Sequence, residues 1–152
     1  MQPEIESSAL PANRVIRTNE IVRIRVAKNS DGNAIYQLVT DNGFSVDGLD
    51  WNDIEPYWLV CEHEGDIVGT IQVAPSKPIG RLEMLSVDKT LSHTLRAIVV
   101  VQLLIYGSST LKAGGSQMAS GLIPFEEKSY KKILKKHGCV SLGIGNLMAK
   151  RL

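Results

Sequence analysis

Cysteine is scarce in this chain: Cys61 and Cys139 are the two, and 78 positions separate them. That is too few for a disulfide-stapled scaffold and too far apart for a local thiolate metal cage. They read best as two buried, reduced thiols in a reducing compartment, though the sequence alone leaves pairing open. The three histidines have no ligand-like spacing, so no metal site is expected. Long hydrophobic runs are missing too. The greasiest stretch, Ala97 to Tyr106, is broken by Gln102 and falls short of the roughly 20 apolar residues of a bilayer-crossing helix, so no membrane span is expected. The start, Met1-Gln2-Pro3-Glu4-Ile5-Glu6, has acids where a secretory leader has bases, which points to a cytoplasmic protein. The composition of disorder is lacking as well: 43% of the 152 residues are hydrophobic and 22% charged, enough to bury a single core.

Positive charge is absent over a long stretch. Between Lys28 and Lys77 there is no Lys or Arg, yet nine acids. From Gly121 onward seven bases meet two acids, so the formal net charge of +1 conceals a bipolar chain. An acidic segment would attract a cationic amine, and opposite ends could join neighbouring copies or a basic partner; both could equally be solvated faces. The stripe Lys128, Lys131, Lys132 and Lys135 has no interleaved aromatics, so nucleic-acid binding is not expected.

Periodicity organises the rest. Residues 1–20 are polar, hold Pro3 and Pro11, and read as an extended arm before a domain over 21–152. Alternation predicts a strand over Ile21 to Ala27. Ser30-Asp31 would cap a helix carrying Ala34, Ile35, Leu38 and Val39, stopped at Asp41-Asn42-Gly43. Residues 44–56 read as a loop with a short helical turn around Trp51 to Glu55. Tyr57 to His63 and Ile67 to Val73 flank Glu64-Gly65-Asp66 as a hairpin, and Arg81 to Val87 is a further strand. A helix over Ser92 to Ala113 stops at Gly114-Gly115. Its middle is apolar around the whole circumference, which predicts cover on nearly all sides. Gln117 to Leu122 is a short strand, Pro124 opens a last helix ended by Gly138, and Cys139 to Ile144 is a final strand. Eight residues follow Ile144, little room for a seventh strand. The order describes an α/β domain with a mixed sheet flanked by helices.

The run Leu82-Glu83-Met84-Leu85-Ser86-Val87-Asp88, then a loop, a long apolar helix, a strand, a basic helix and His137-Gly138-Cys139-Val140, resembles the GNAT superfamily of acyl-CoA-dependent N-acyltransferases. The resemblance covers roughly residues 21–144 and implies a GNAT-like fold, acetyl-CoA as cofactor and an amine as acceptor. In that family an Arg/Gln-x-x-Gly-x-Gly/Ala loop before the long helix holds the coenzyme's pyrophosphate on backbone N–H groups. Here the matching positions read Ser92-His93-Thr94-Leu95-Arg96-Ala97. Ala97 alone agrees; Leu95 stands at the central glycine and Ser92 at the Arg or Gln. The family's thiolate-protonating tyrosine aligns with Leu134, and Tyr130 lies one helical turn earlier.

By that resemblance the cofactor would be met by Leu85, Val87, Ser92, Thr94, Arg96 and Ala97, with Glu83 as general base and Tyr130 as substitute acid. Glu83 reads more simply as a strand-face acid paired with Arg81, and Arg96 as a solvated side chain. Trp51, Tyr57 and Trp58 fall on the family's acceptor side and suit a pocket or ordinary packing equally well. The departures touch the parts that bind and process cofactor, while the scaffold pattern survives. The expectation is therefore a non-catalytic structural or assembly component, as in phage virion proteins similar to acetyltransferases. Its protein partners or further copies would be met through residues 1–20 and the charged faces. The alternative is an active acetyl-CoA-dependent N-acetyltransferase.

Overall fold

The computed structural model describes residues 21–52, 54–122, 128–141 and 147–151. In chain order the strands are β1 (Arg23–Val26), β2 (Trp58–His63), β3 (Asp66–Ala74), β4 (Ile79–Val87), β5 (Met118–Leu122), β6 (Val140–Ser141) and β7 (Leu147–Arg151). The helices are α1 (Gly32–Asp41), α2 (His93–Ala113) and α3 (Lys128–Lys136). One sheet holds all seven strands in the order β1-β2-β3-β4-β5-β7-β6. Every neighbouring pair is antiparallel except β4 and β5, whose parallel pairing needs the crossover that α2 supplies.

Glu64 and Gly65, the two residues of the β2–β3 turn, both sit at positive φ, 52° and 87°. This is the two-residue hairpin backbone whose twist matches that of its strands. Alternation then sorts side chains to two faces. Leu59, Cys61, Ile71, Val73 and Val87 cluster with Val99, Val100, Leu103 and Leu111 of α2. On the other face Trp58, Val60 and Ile67 cluster with Ile35 and Val39 of α1. Gly69 lets α2 close in, since a Cβ there would lie 2.5 Å from Val99 Cγ1. Asn42, buried just past α1, donates through Nδ2 to Leu38 O at 2.9 Å and Val87 O at 3.1 Å, tying the end of α1 to the end of β4.

Several expectations are corrected. A seventh strand exists: β7 pairs with β5 from Met118–Arg151 to Leu122–Leu147, because five residues are enough to match the five of β5. Asp31 precedes α1 without capping it; its carboxylate is taken by Arg25 and by the Lys28 N–H. The described residues around Trp51 make turns within a loop, in keeping with the short turn expected there. Cys61 is buried and its thiol pushed up to about 12 by burial, whereas Cys139 is half-buried, and neither forms a disulfide among the described residues. The arm over 1–20, Pro124 and residues 142–144 of the stretch expected as the last strand lie outside the described residues, while Val140 and Ser141 of that stretch form β6.

The largest correction concerns α2. It has the length and hydropathy of a bilayer-crossing helix, but Val99, Val100, Leu103 and Leu111 are wholly buried against the sheet, which makes it a core helix. Nor is it covered on nearly all sides, for Ile105 and Tyr106 are 48% and 46% exposed. A helix laid across one sheet face keeps one side uncovered. β4 and β5, meanwhile, pair only from Ile79–Met118 to Arg81–Ser120. Their last close approach is at Gly121, where an added Cβ would overlap the Leu82 carbonyl. Gly121→Ala is therefore expected to destabilise the fold by about 1–3 kcal/mol, read as a lower urea midpoint with unchanged slope.

Candidate functional site

β4 carries one residue too many for its neighbour. Thr70 faces Ser86 and Gln72 faces Glu83, so two steps along β3 match three along β4. Met84 absorbs the surplus at a φ of 54°. A bulge of this kind bends the strand and sharpens its twist. Beyond Arg81–Ser120 the parallel partners are no longer paired, and a wedge opens between β4 and β5. Within the bulge Ser86 Oγ donates to Met84 O at 3.0 Å, which satisfies a carbonyl that the ladder has dropped. The Asp88 N–H donates to Val68 O at 2.8 Å, so alternation turns the Val87 N–H and C=O away from β3.

The side chains of this stretch divide. Met84 packs on the α1 face and Leu85 on the α2 face. Glu83, half-buried, pairs with Arg81 Nη1 at 3.3 Å. Tyr130 belongs to α3, and its side chain lies outside the described residues.

At the start of α2 the residues matched to the family's phosphate loop are wound into helix. Ser92 is the N-cap: its Oγ accepts from the Leu95 N–H at 3.2 Å, and its carbonyl accepts from the Arg96 N–H at 2.9 Å. Among the described residues this leaves the N–H groups of His93 and Thr94 as the unpaired donors of the first turn. Leu95 packs against the α2-face core, so its side chain helps to anchor the turn. Thr94 is exposed and Arg96 half-buried; Arg96 Nε is buried and has no hydrogen-bond partner among the described residues. Ser92, Thr94, Arg96 and Ala97 thus share one capped helical start, next to the β4 end that carries Leu85 and Val87. A diphosphate needs several converging N–H groups on an open backbone. Among the described residues this turn offers the amides of His93 and Thr94, fewer than the row that an open glycine-rich loop presents.

Electrostatics around the acidic segment begin at β1. Arg25 donates to Asp31 Oδ2 at 2.7 Å and Oδ1 at 3.2 Å and to Glu62 Oε2 at 3.1 Å, and Arg23 lies 3.6 Å from Glu62. The Arg25 guanidinium holds the Asp31 carboxyl below the usual carboxylate range. Asp41, Asp47, Asp50, Glu55, Glu64 and Asp66 remain exposed. Trp51 packs between Tyr36 and Trp58, at ring distances of 5.5 and 5.7 Å, as part of the α1-side core, whereas Tyr57 stands apart, 55% exposed. Tyr36 escaped the sequence analysis because it stands outside the apolar stripe of α1. A groove of about 650 Å³ also escaped it, lined by Ala34, His63, Asp66, Ile67, Asp88 and Leu91. It lies between the β2–β3 turn and the loop that follows β4. Its His63 is held by the Ile21 carbonyl at 3.1 Å and Glu64 at 3.3 Å.

Among solved structures the chain is similar to N-acetylglutamate synthase from Neisseria gonorrhoeae complexed with coenzyme A and L-arginine, at 14% identity over 87% of this chain, with a TM-score of 0.70. It covers 33% of that protein, about a third of its length. It is also similar to the PaiA N-acetyltransferase from Thermoplasma acidophilum in complex with coenzyme A, at 12% identity over 86% of this chain and 99% of that one, TM-score 0.67. A GNAT-family acetyltransferase from Streptococcus pneumoniae shares 17% identity over 86% of this chain and 99% of that one, TM-score 0.65. The chain therefore has the GNAT acetyltransferase fold. No protein-family model matches the sequence, and no curated protein matches it.

The Arg25–Asp31 contact has a testable pH signature. Asp31→Asn is expected to cost about 1–3 kcal/mol at neutral pH, by loss of a charge-assisted pair. Because the folded carboxyl titrates below its ordinary 3.8, its stabilisation is complete above that value and is lost as pH falls through the folded value. Urea titrations should show the difference between the two proteins shrinking once the pH drops below 3.8.

Proposed function

We propose that this chain is a non-catalytic GNAT-fold protein, a structural or assembly component. It would meet protein partners or further copies through residues 1–20 and its charged faces, in the cytoplasm or in a virion assembled there. The observation that supports this reading is the capped first turn of α2. To offer a row of free amides the chain would have to unwind that turn. It would forfeit the Ser92 cap, worth about 1 kcal/mol, and part of the roughly 1.5–3 kcal/mol that a buried leucine contributes at Leu95. The exposed acids on α1 and the loop after it, and the exposed Lys132, Lys135 and Lys136 on α3, are surfaces suited to charged partners.

The wedge between β4 and β5 favours the other reading, an acetyl-CoA-dependent N-acetyltransferase acting on an amine, with Glu83 as base and Tyr130 as acid. Two of the similar structures hold coenzyme A, which points the same way. Calorimetric titration with acetyl-CoA separates the two. The first reading anticipates no measurable heat or a dissociation constant in the millimolar range; micromolar binding accompanied by acetyl transfer to an amine would replace it with the second.

A further inference from the structure

The corner of the molecule where α2 ends is built without acids. The loop before β4, the end of α2, the start of β5 and the end of β7 fall within residues 67–82, 89–125 and 128–152, and none of these stretches contains Asp or Glu. A groove of about 510 Å³ opens there, lined by Lys112, Ser116, Gln117, Met118 and Arg151. That volume is in the range of a small-molecule pocket. Lys77 stands beside it, with Nζ 3.3 Å from the place a Cβ on Gly115 would take. Lys77, Lys112 and Arg151 are exposed, and among the described residues no carboxylate pairs with any of them. Like charges gathered at one groove repel, and an anion between them relieves the repulsion.

The backbone beneath these cations is fixed. Buried Ser116 donates through Oγ to Ser76 O at 2.7 Å and accepts from the Ser76 N–H at 3.1 Å. The Gln117 and Met118 N–H groups donate to Pro78 O at 2.8 and 3.1 Å. Lys77 is thus held in a loop tied on both sides to the segment that follows α2. The end of a helix ordinarily disfavours an anion through its free carbonyls. Here the Thr110, Lys112 and Leu111 carbonyls accept from the Gly114, Gly115 and Ser116 N–H groups, each at 3.0 Å, so those nearest the groove are occupied. The Ser92 cap is at the other end of α2, about 30 Å away, so this corner is separate from the turn matched to the coenzyme loop.

We propose that this corner binds a small phosphorylated molecule, its phosphate forked by the Arg151 guanidinium and neutralised by Lys77 and Lys112. A phosphate dianion answers several cations where a carboxylate answers one, and a guanidinium meets its oxygens two at a time. The site goes beyond the functional reading and stands whether or not coenzyme A binds at the start of α2. The test is amide NMR of the full chain titrated with inorganic pyrophosphate in physiological salt. Saturable shifts are expected at Gly115, Ser116, Gln117 and Met118, with a dissociation constant below about 1 mM. Lys112→Gln and Arg151→Gln each weaken binding about tenfold, whereas Lys112→Arg keeps it and Lys135→Gln on α3 changes nothing. All four positions are exposed, so the thermal midpoint stays close to that of the parent. Shifts confined to His93 and Thr94 would overturn the proposal and support the coenzyme reading instead. Shifts that never saturate, or that survive both Gln variants, would also overturn it. A short DNA duplex that displaces pyrophosphate from the same amides at lower concentration would replace the small molecule with a nucleic acid.

Discussion

The contact between α2 and the sheet is the constraint on which the remaining geometry rests. β4 and β5 are parallel, so the chain must cross from one end of the sheet to the other, and it does so along α2. Close approach is secured at glycines: Gly69 under Val99 and Gly107 against Leu82, where a Cβ would lie 2.5 and 2.8 Å from its neighbour. With the helix pinned at these places, its start is fixed beside the end of β4, just past the bulge at Met84. Any chemistry at that junction is decided by how the helix begins. The fold sets the place, and six residues set what happens there.

Those six residues favour a closed start. A glycine-rich loop leaves donors pointing at an anion, whereas Ser92 supplies an oxygen to one donor and a carbonyl to the next. Leu95 adds burial to the same turn. Each contribution is modest, but all act in one direction and belong to the same few residues, so a ligand would have to overcome them together. The wedge beyond Arg81 persists independently, because it follows from the extra residue in β4 rather than from the loop. Architecture and donor set are thus separable properties of this chain.

Much of the fold was legible in the residues. The hairpin around Glu64-Gly65, the long apolar helix and the antiparallel run of strands follow from alternation and turn chemistry, and the element order carried the likeness to the GNAT fold. What escaped has physical reasons. β7 is five residues, Leu147-Met148-Ala149-Lys150-Arg151, without alternation, and is a strand because β5 offers it an edge. The bulge did leave a trace, since Met84 and Leu85 are adjacent and both apolar in a strand that otherwise alternates. Asp31 has a capping residue's chemistry and position, but Arg25, arriving from β1, competes for its carboxylate with a charge. At the site, the pairing of Glu83 with Arg81 could be anticipated from their spacing on one strand face. The closure of the turn by Ser92 could not, because a serine before a helix says nothing about whether the backbone behind it stays open.

Sheet order gives the charge pattern its meaning. The exposed acids among residues 41–66 belong to α1, its following loop and the β2–β3 hairpin, and α1 packs against β3 and β4 in the middle of the sheet, while Lys150 and Arg151 lie on β7. Arg23 and Arg25 neutralise only Asp31 and Glu62, both close to β1. The segregation along the chain therefore places acids and bases on different elements. Because exposed charges are screened beyond about 8 Å at physiological salt, either group acts on what is already close and adds little at a distance.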